Sequence, residues 1–124
     1  MQDDIIGAWR LEAWEVEKDG AYVSLGANVK GLLIYSSTGY MSASITNETP
    51  GIDSAPGSPR AAVFYAGTFD LGTSKILHRA EISFDPKNFS NVWRRLELDG
   101  DTLVLRTPAE DARQVRLTWK RIPD

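Results

Sequence analysis

The chain has 124 residues, one domain's length, with 14 Lys and Arg against 17 Asp and Glu for a net charge of −3. That balance provides no basic footprint for nucleic acid or an anionic membrane, and the lack of cysteine excludes disulfides, thiolate metal sites and cysteine nucleophiles. A single histidine, His78, leaves zinc without a ligand set and confines imidazole chemistry to one residue.

From the N-terminus, Met1-Gln2-Asp3-Asp4-Ile5-Ile6 has no basic n-region and no apolar h-region. The expected location is therefore the cytoplasm. No apolar run approaches the ~18–20 residues of a membrane span. Short segments rich in Val, Ile, Leu, Thr and aromatics then alternate with Gly, Pro, Asn and Asp. They predict strands over residues 6–17, 22–24, 31–35, 40–46, 67–71, 75–84, 92–98, 103–107 and 113–122. Asp19-Gly20 and Asp99-Gly100 read as type I′ hairpin turns, and Thr38-Gly39 and Gly72-Thr73-Ser74 as weaker ones. Residues 47–59 hold Pro50, Pro56 and Pro59 with Gly51 and Gly57, so no central strand can run there. From Ser58 as N-cap and Pro59 in the first turn, residues 58–65 predict one short helix, a plug or lid after the Pro/Gly-rich loop. The alternative is a merely solvated connection. Short antiparallel strands in one domain spanning 1–124 predict an all-β closed barrel or sandwich.

Strand alternation sorts side chains by face. Ile76, His78, Ala80, Ile82 and Phe84 form one face, and Val92, Arg94, Leu96 and Leu98 another. Val115, Leu117, Trp119 and Arg121 form a third. Each predicted inward face thus carries one strongly polar group, and burying an unpaired guanidinium costs several kcal/mol. Arg121, near a barrel end, reads as a structural cap stacked on an indole. Arg94 is either structural or ligand-facing. His78 is either a satisfied core histidine or a group that hydrogen-bonds a ligand or shuttles a proton. Tyr35, Tyr40 and Tyr65 offer phenols to a cavity or belong to an aromatic rim; Met41 and Phe64 are candidate wall or lid residues. No nucleophile elbow, phosphate loop or dinucleotide fingerprint is present.

Gly7-Ala8-Trp9 opening the first strand, with Trp119-Lys120-Arg121 closing the last, resembles the calycin signature. The sequence is similar over nearly its whole length to the small lipocalin-like domain family. The similarity runs through Ile6–Leu11, Gly31–Tyr35, Gly39–Ser42, Tyr65–Phe69 and Trp93–Leu96, with Gly100-Asp101-Thr102-Leu103. The resemblance implies an up-and-down antiparallel β-barrel of about eight strands. It also implies packing of Trp9 against Arg121 beside Gly7, and a histidine and an arginine at the positions of His78 and Arg94. The expected function is binding of a small hydrophobic molecule with a polar head group. His78, Arg94, Tyr35, Tyr40, Tyr65, Met41 and Phe64 are the candidate ligand residues. The alternative is a cofactor-independent isomerase, cyclase or dehydratase acting on a polyketide- or terpenoid-like substrate, with His78 as general acid or base and Arg94 as oxyanion stabiliser. Neither reading calls for a metal, a cofactor, nucleic acid or a membrane. Monomer and homodimer both stay open.

Overall fold

The computed structural model describes residues 4–48 and 62–123. Nine strands follow in chain order: β1 (Gly7–Lys18), β2 (Ala21–Ser24), β3 (Val29–Tyr35), β4 (Tyr40–Asn47), β5 (Ala62–Leu71), β6 (Lys75–Ser83), β7 (Asn91–Asp99), β8 (Thr102–Arg106) and β9 (Val115–Arg121). Each is antiparallel to its neighbours. β1 pairs with β3 through Gly7–Arg10 and with β9 through Trp9–Val16, which closes an eight-strand ring of β1 and β3 to β9. β2 is a short flap on the far half of β1. Closure leaves the ring with no free edge.

The expected helix is not found among the described residues. Ala62, Val63, Phe64 and Tyr65 continue β5 and pair with Thr46, Ile45, Ser44 and Ala43 of β4. A ladder that satisfies every backbone group outweighs the local cap signal at Ser58-Pro59. Residues 49–61, which hold the rest of that helix and of the Pro/Gly-rich loop, lie outside the described residues. Among the described residues there is no α-helix, and no helix long and apolar enough to cross a membrane.

Two bulges reset which residues face inward. In β1 the register slips between Leu11 and Ala13, so Trp9 and Leu11 point into the core before it and Trp14 and Val16 after it. In β6 the slip lies opposite Ala66 and Gly67: Ala80 pairs with Gly67 but Ile82 pairs with Ala66, leaving Glu81 as the extra residue. Ile82 is consequently turned outward and is 70% exposed, not inward with His78 as simple alternation requires. Gly67 is what permits this bulge. A Cβ there would sit 1.8 Å from the Arg79 carbonyl oxygen.

The turns follow the same logic. Asp19 and Gly20 both have positive φ (52° and 85°), as a type I′ turn requires. At the second predicted turn, Asp99 pairs with Thr102, so the two-residue loop is Gly100-Asp101. Only Gly100 has positive φ there, which is the pattern of type II′ rather than I′.

One end of the barrel is shut. The Arg121 guanidinium lies 4.3 Å from the Trp9 ring centroid, donates from Nη1 to the Ile6 carbonyl at 3.0 Å and from Nη2 to the Asp4 carbonyl, and its Nε lies 3.3 Å from Asp101 Oδ1. The Trp9 indole donates to the Ile5 carbonyl at 3.0 Å. Gly7, at φ 132°, leaves room beside Arg121 Nη1, 3.4 Å from where a Cβ would stand. This packing seals the end, with the Arg121 and Trp9 donors bonded to main-chain carbonyls.

Candidate functional site

Above the sealed end the barrel encloses a cavity of about 650 Å3. Its walls differ in character. β1, β3 and β4 contribute only apolar side chains: Trp14, Leu33, Ala43 and Ile45. The polar groups of the inner wall are Tyr65, His78 and Arg94 on the consecutive strands β5, β6 and β7, and the Trp119 indole N–H on β9, which is buried with no partner among the described residues. Among the described residues the rim is formed by the β6–β7 connection, with Asn88 and Phe89, and by the β8–β9 connection, with Thr107, Asp111 and Arg113.

Alternation in three strands brings Tyr35, His78 and Tyr65 onto one hydrogen-bonded line. Tyr35 ends β3 near the sealed end, and its Oη lies 2.6 Å from His78 Nε2. Tyr65 Oη lies 2.7 Å from Nδ1 of the same ring. His78 itself is only 1% exposed. Burial, reinforced by the Arg94 charge, pushes its pKa down to about 3. Burial pushes Tyr65 up to about 12 against the opposing pull of Arg94, and raises Tyr35 well above the ordinary phenol value, with Tyr65 adding to that rise. All three groups are therefore neutral around neutrality. His78 is a buried neutral imidazole, not an imidazolium acid.

Arg94 stands across the register from Ile76 on β7 and lines both the cavity and the rim. It is half-buried. Its Nη1 donates to the neighbouring Trp93 carbonyl at 2.9 Å, and among the described residues it forms no ion pair. Burial lowers its pKa, with Tyr65, Asp111 and Tyr35 acting in the opposite direction. The next residue, Arg95, points the other way. It clamps the rim by donating from Nε to the Thr107 carbonyl and from Nη2 to Gln114 Oε1. Gln114 Nε2 in turn donates to the carbonyls of Pro108 and Asp111 at 3.0 and 2.7 Å. The loop that carries Asp111 and Arg113 to the rim is thus tied down internally.

Residues 6–122 match the sequence profile of the lipocalin-like domain. The chain belongs to the lipocalin-like domain family. Among solved structures, a redesigned β-barrel matches this lipocalin-like chain with a TM-score of 0.54 and 14% identity, over 98% of this chain and 95% of that one. That likeness concerns the fold alone. A point mutant of the fluorescent protein UnaG aligns over the full length of both chains at 16% identity and a TM-score of 0.46. No curated protein matches the chain.

The lipocalin-like barrel sorts the candidate residues into three groups. His78, Arg94 and Tyr65 meet at the cavity, and Tyr35 reaches it only through His78. Met41 is buried core beside Tyr35 in register and does not line the cavity. Tyr40 and Phe64 are 55% and 51% exposed, on the outer surface, because each is next in sequence to an inward residue, Met41 and Tyr65. Gly7, Trp9 and Arg121 belong to the sealed end and do not line the cavity. The rim residues Asp111 and Arg113 carry no sequence signal beyond a Pro-containing stretch between two strands. Trp14 becomes a wall residue only through the β1 bulge. No cluster of three or more His, Asp or Glu side chains among the described residues is arranged to hold a metal ion.

Proposed function

We propose that this lipocalin-like barrel binds a small, largely apolar molecule bearing a polar head group in its cavity. The observation that carries the reading is a largely apolar enclosure holding the Arg94 guanidinium, which has no ion pair among the described residues, beside the buried Tyr65 phenol. A cavity of about 650 Å3 lies within the usual range for small-molecule sites. A ligand that buries roughly 250 Å2 of apolar surface gains about 6 kcal/mol, largely offset by its lost freedom of motion. The polar contacts then decide affinity and orientation.

Uptake of the neutral fluorophore N-phenyl-1-naphthylamine tests this. The expected result is saturable fluorescence enhancement that Ala43→Phe, which fills the lumen from β4, abolishes without lowering the unfolding temperature by more than a few degrees. Enhancement that survives Ala43→Phe places binding elsewhere.

The enzymatic alternative uses the same cavity, and the Tyr35–His78–Tyr65 line favours one form of it. Tyr65 would supply a proton and Arg94 would hold an oxyanion on an isomerase, cyclase or dehydratase substrate, with no cofactor. His78 would keep Tyr65 in place without itself ionising. The pH–rate profile then lacks a histidine limb near neutrality. A limb that His78→Gln removes would overturn that assignment of roles.

A further inference from the structure

His78 forms both its hydrogen bonds with tyrosine hydroxyls, and proton bookkeeping fixes the direction of each. A neutral imidazole has one N–H donor and one acceptor nitrogen. Suppose the proton were on Nε2. It would then be donated to Tyr35 Oη, and the Tyr35 hydroxyl hydrogen would need another acceptor. Tyr35 is 1% exposed, does not line the cavity, and its oxygen has no other partner among the described residues. A buried donor left without an acceptor is destabilising, so this arrangement is disfavoured.

With the proton on Nδ1 the accounts balance. Tyr35 donates to Nε2, Nδ1–H donates to Tyr65 Oη, and the Tyr65 hydroxyl hydrogen is left over. Tyr65 lines the cavity, where water or a ligand can accept that hydrogen. Arg94 on the neighbouring wall has no acceptor functions at all.

Building on the binding reading above, we propose that Tyr35 is a positioning residue: by holding His78 in its Nδ1–H tautomer it turns Tyr65 into a donor beside Arg94. Tyr65 and Arg94 then both present hydrogens to the lumen, with the Asp111 carboxylate out at the rim, and the ligand this pair takes carries an acceptor head, a ketone, carboxylate or enolate, rather than an amine. Tyr35 sets this preference without touching the ligand.

Because His78 is the sole histidine, a chain labelled with 15N-histidine gives one imidazole spectrum and reads the tautomer directly by long-range 1H–15N correlation. The wild type is expected to show Nδ1–H alone across neutral pH. Competition against N-phenyl-1-naphthylamine by a long-chain methyl ketone, carboxylate and amine of equal length reads the preference. Ketone and carboxylate are expected to compete about tenfold better than the amine, as an energy gap of about 1.4 kcal/mol would give. In Tyr35→Phe the spectrum shifts toward Nε2–H and the ketone-to-amine ratio falls several-fold.

Nε2–H in the wild type overturns the proposal, and that spectrum needs no variant to fold. So does an amine that competes as well as the ketone, or a Tyr35→Phe protein with unchanged tautomer and ratio. Failure of the fluorophore to bind at all removes the binding reading and the ligand class with it, while the tautomer spectrum still reports on the relay by itself.

Discussion

The buried imidazole makes stability depend on pH in a way that one substitution isolates. In the folded protein His78 takes no proton until the pH nears about 3, whereas in the unfolded chain it does so near 6.5. Between those values the unfolded state binds more protons, so stability rises with pH and is lost as the solution is acidified. Below 6.5 the loss is about 1.4 kcal/mol per pH unit, so the step from about pH 7 to about pH 5 removes roughly 2 kcal/mol. Urea unfolding followed by tryptophan fluorescence at both pH values, for wild type and His78→Gln, measures this. Gln has a donor and an acceptor but does not titrate, and the carboxylates contribute alike to both proteins and cancel in the difference. The stability of the wild type relative to the variant is expected to drop by about 2 kcal/mol at the lower pH. A relative stability that stays within ~0.5 kcal/mol across the two conditions would mean the ring is protonated or solvated in the fold, and the relay as described would be wrong.

Other outcomes follow from the same structure. Arg94→Met removes a half-buried guanidinium that has no ion pair among the described residues, so it should stabilise the empty barrel by about 1 kcal/mol in urea titrations while weakening carboxylate competitors at least tenfold. Gly67→Ala drives a Cβ into the Arg79 carbonyl, and a loss above about 4 kcal/mol, seen as insoluble or unfolded protein by circular dichroism, is expected. Arg121→Ala strips the stacking on Trp9 and the donors to Ile6 and Asp4. It should cost on the order of 2 kcal/mol, roughly 6–10 °C in melting temperature, with fluorophore affinity unchanged because Arg121 does not line the cavity. Gln114→Ala should speed amide exchange at Asp111, whose N–H bonds the Pro108 carbonyl, with little change in global stability.

Much of this was legible in the sequence. Apolar alternation and Gly-centred turns are local properties, and they locate the nine strands to within a few residues, apart from β5, which starts at Ala62 rather than 67. That strand was obscured because Ser58-Pro59 is a genuine local helix-start signal, and only pairing with β4 decides otherwise. The bulges were not legible for the same kind of reason. Glu12 and Glu81 look like ordinary outward residues until the partner's register shows each to be an extra one, and that is what turned Ile82 outward and Trp14 inward. The inward placement of His78 was readable from its neighbours Ile76 and Ala80. That two tyrosines from different strands end on its two nitrogens was not, because it depends on how β3 and β5 cross the lumen. Tyr40 shows the converse: an aromatic at a strand end is an attractive ligand residue, but one step of alternation past Met41 puts it outside.

The central claim is that the cavity above the sealed end holds a small molecule. Native mass spectrometry of the protein after incubation with the small-molecule extract of cells that produce it tests this directly. One added molecule per chain is expected, present with wild type and lost with Ala43→Phe. A spectrum of bare protein only, or an adduct that persists when the lumen is filled, would contradict it.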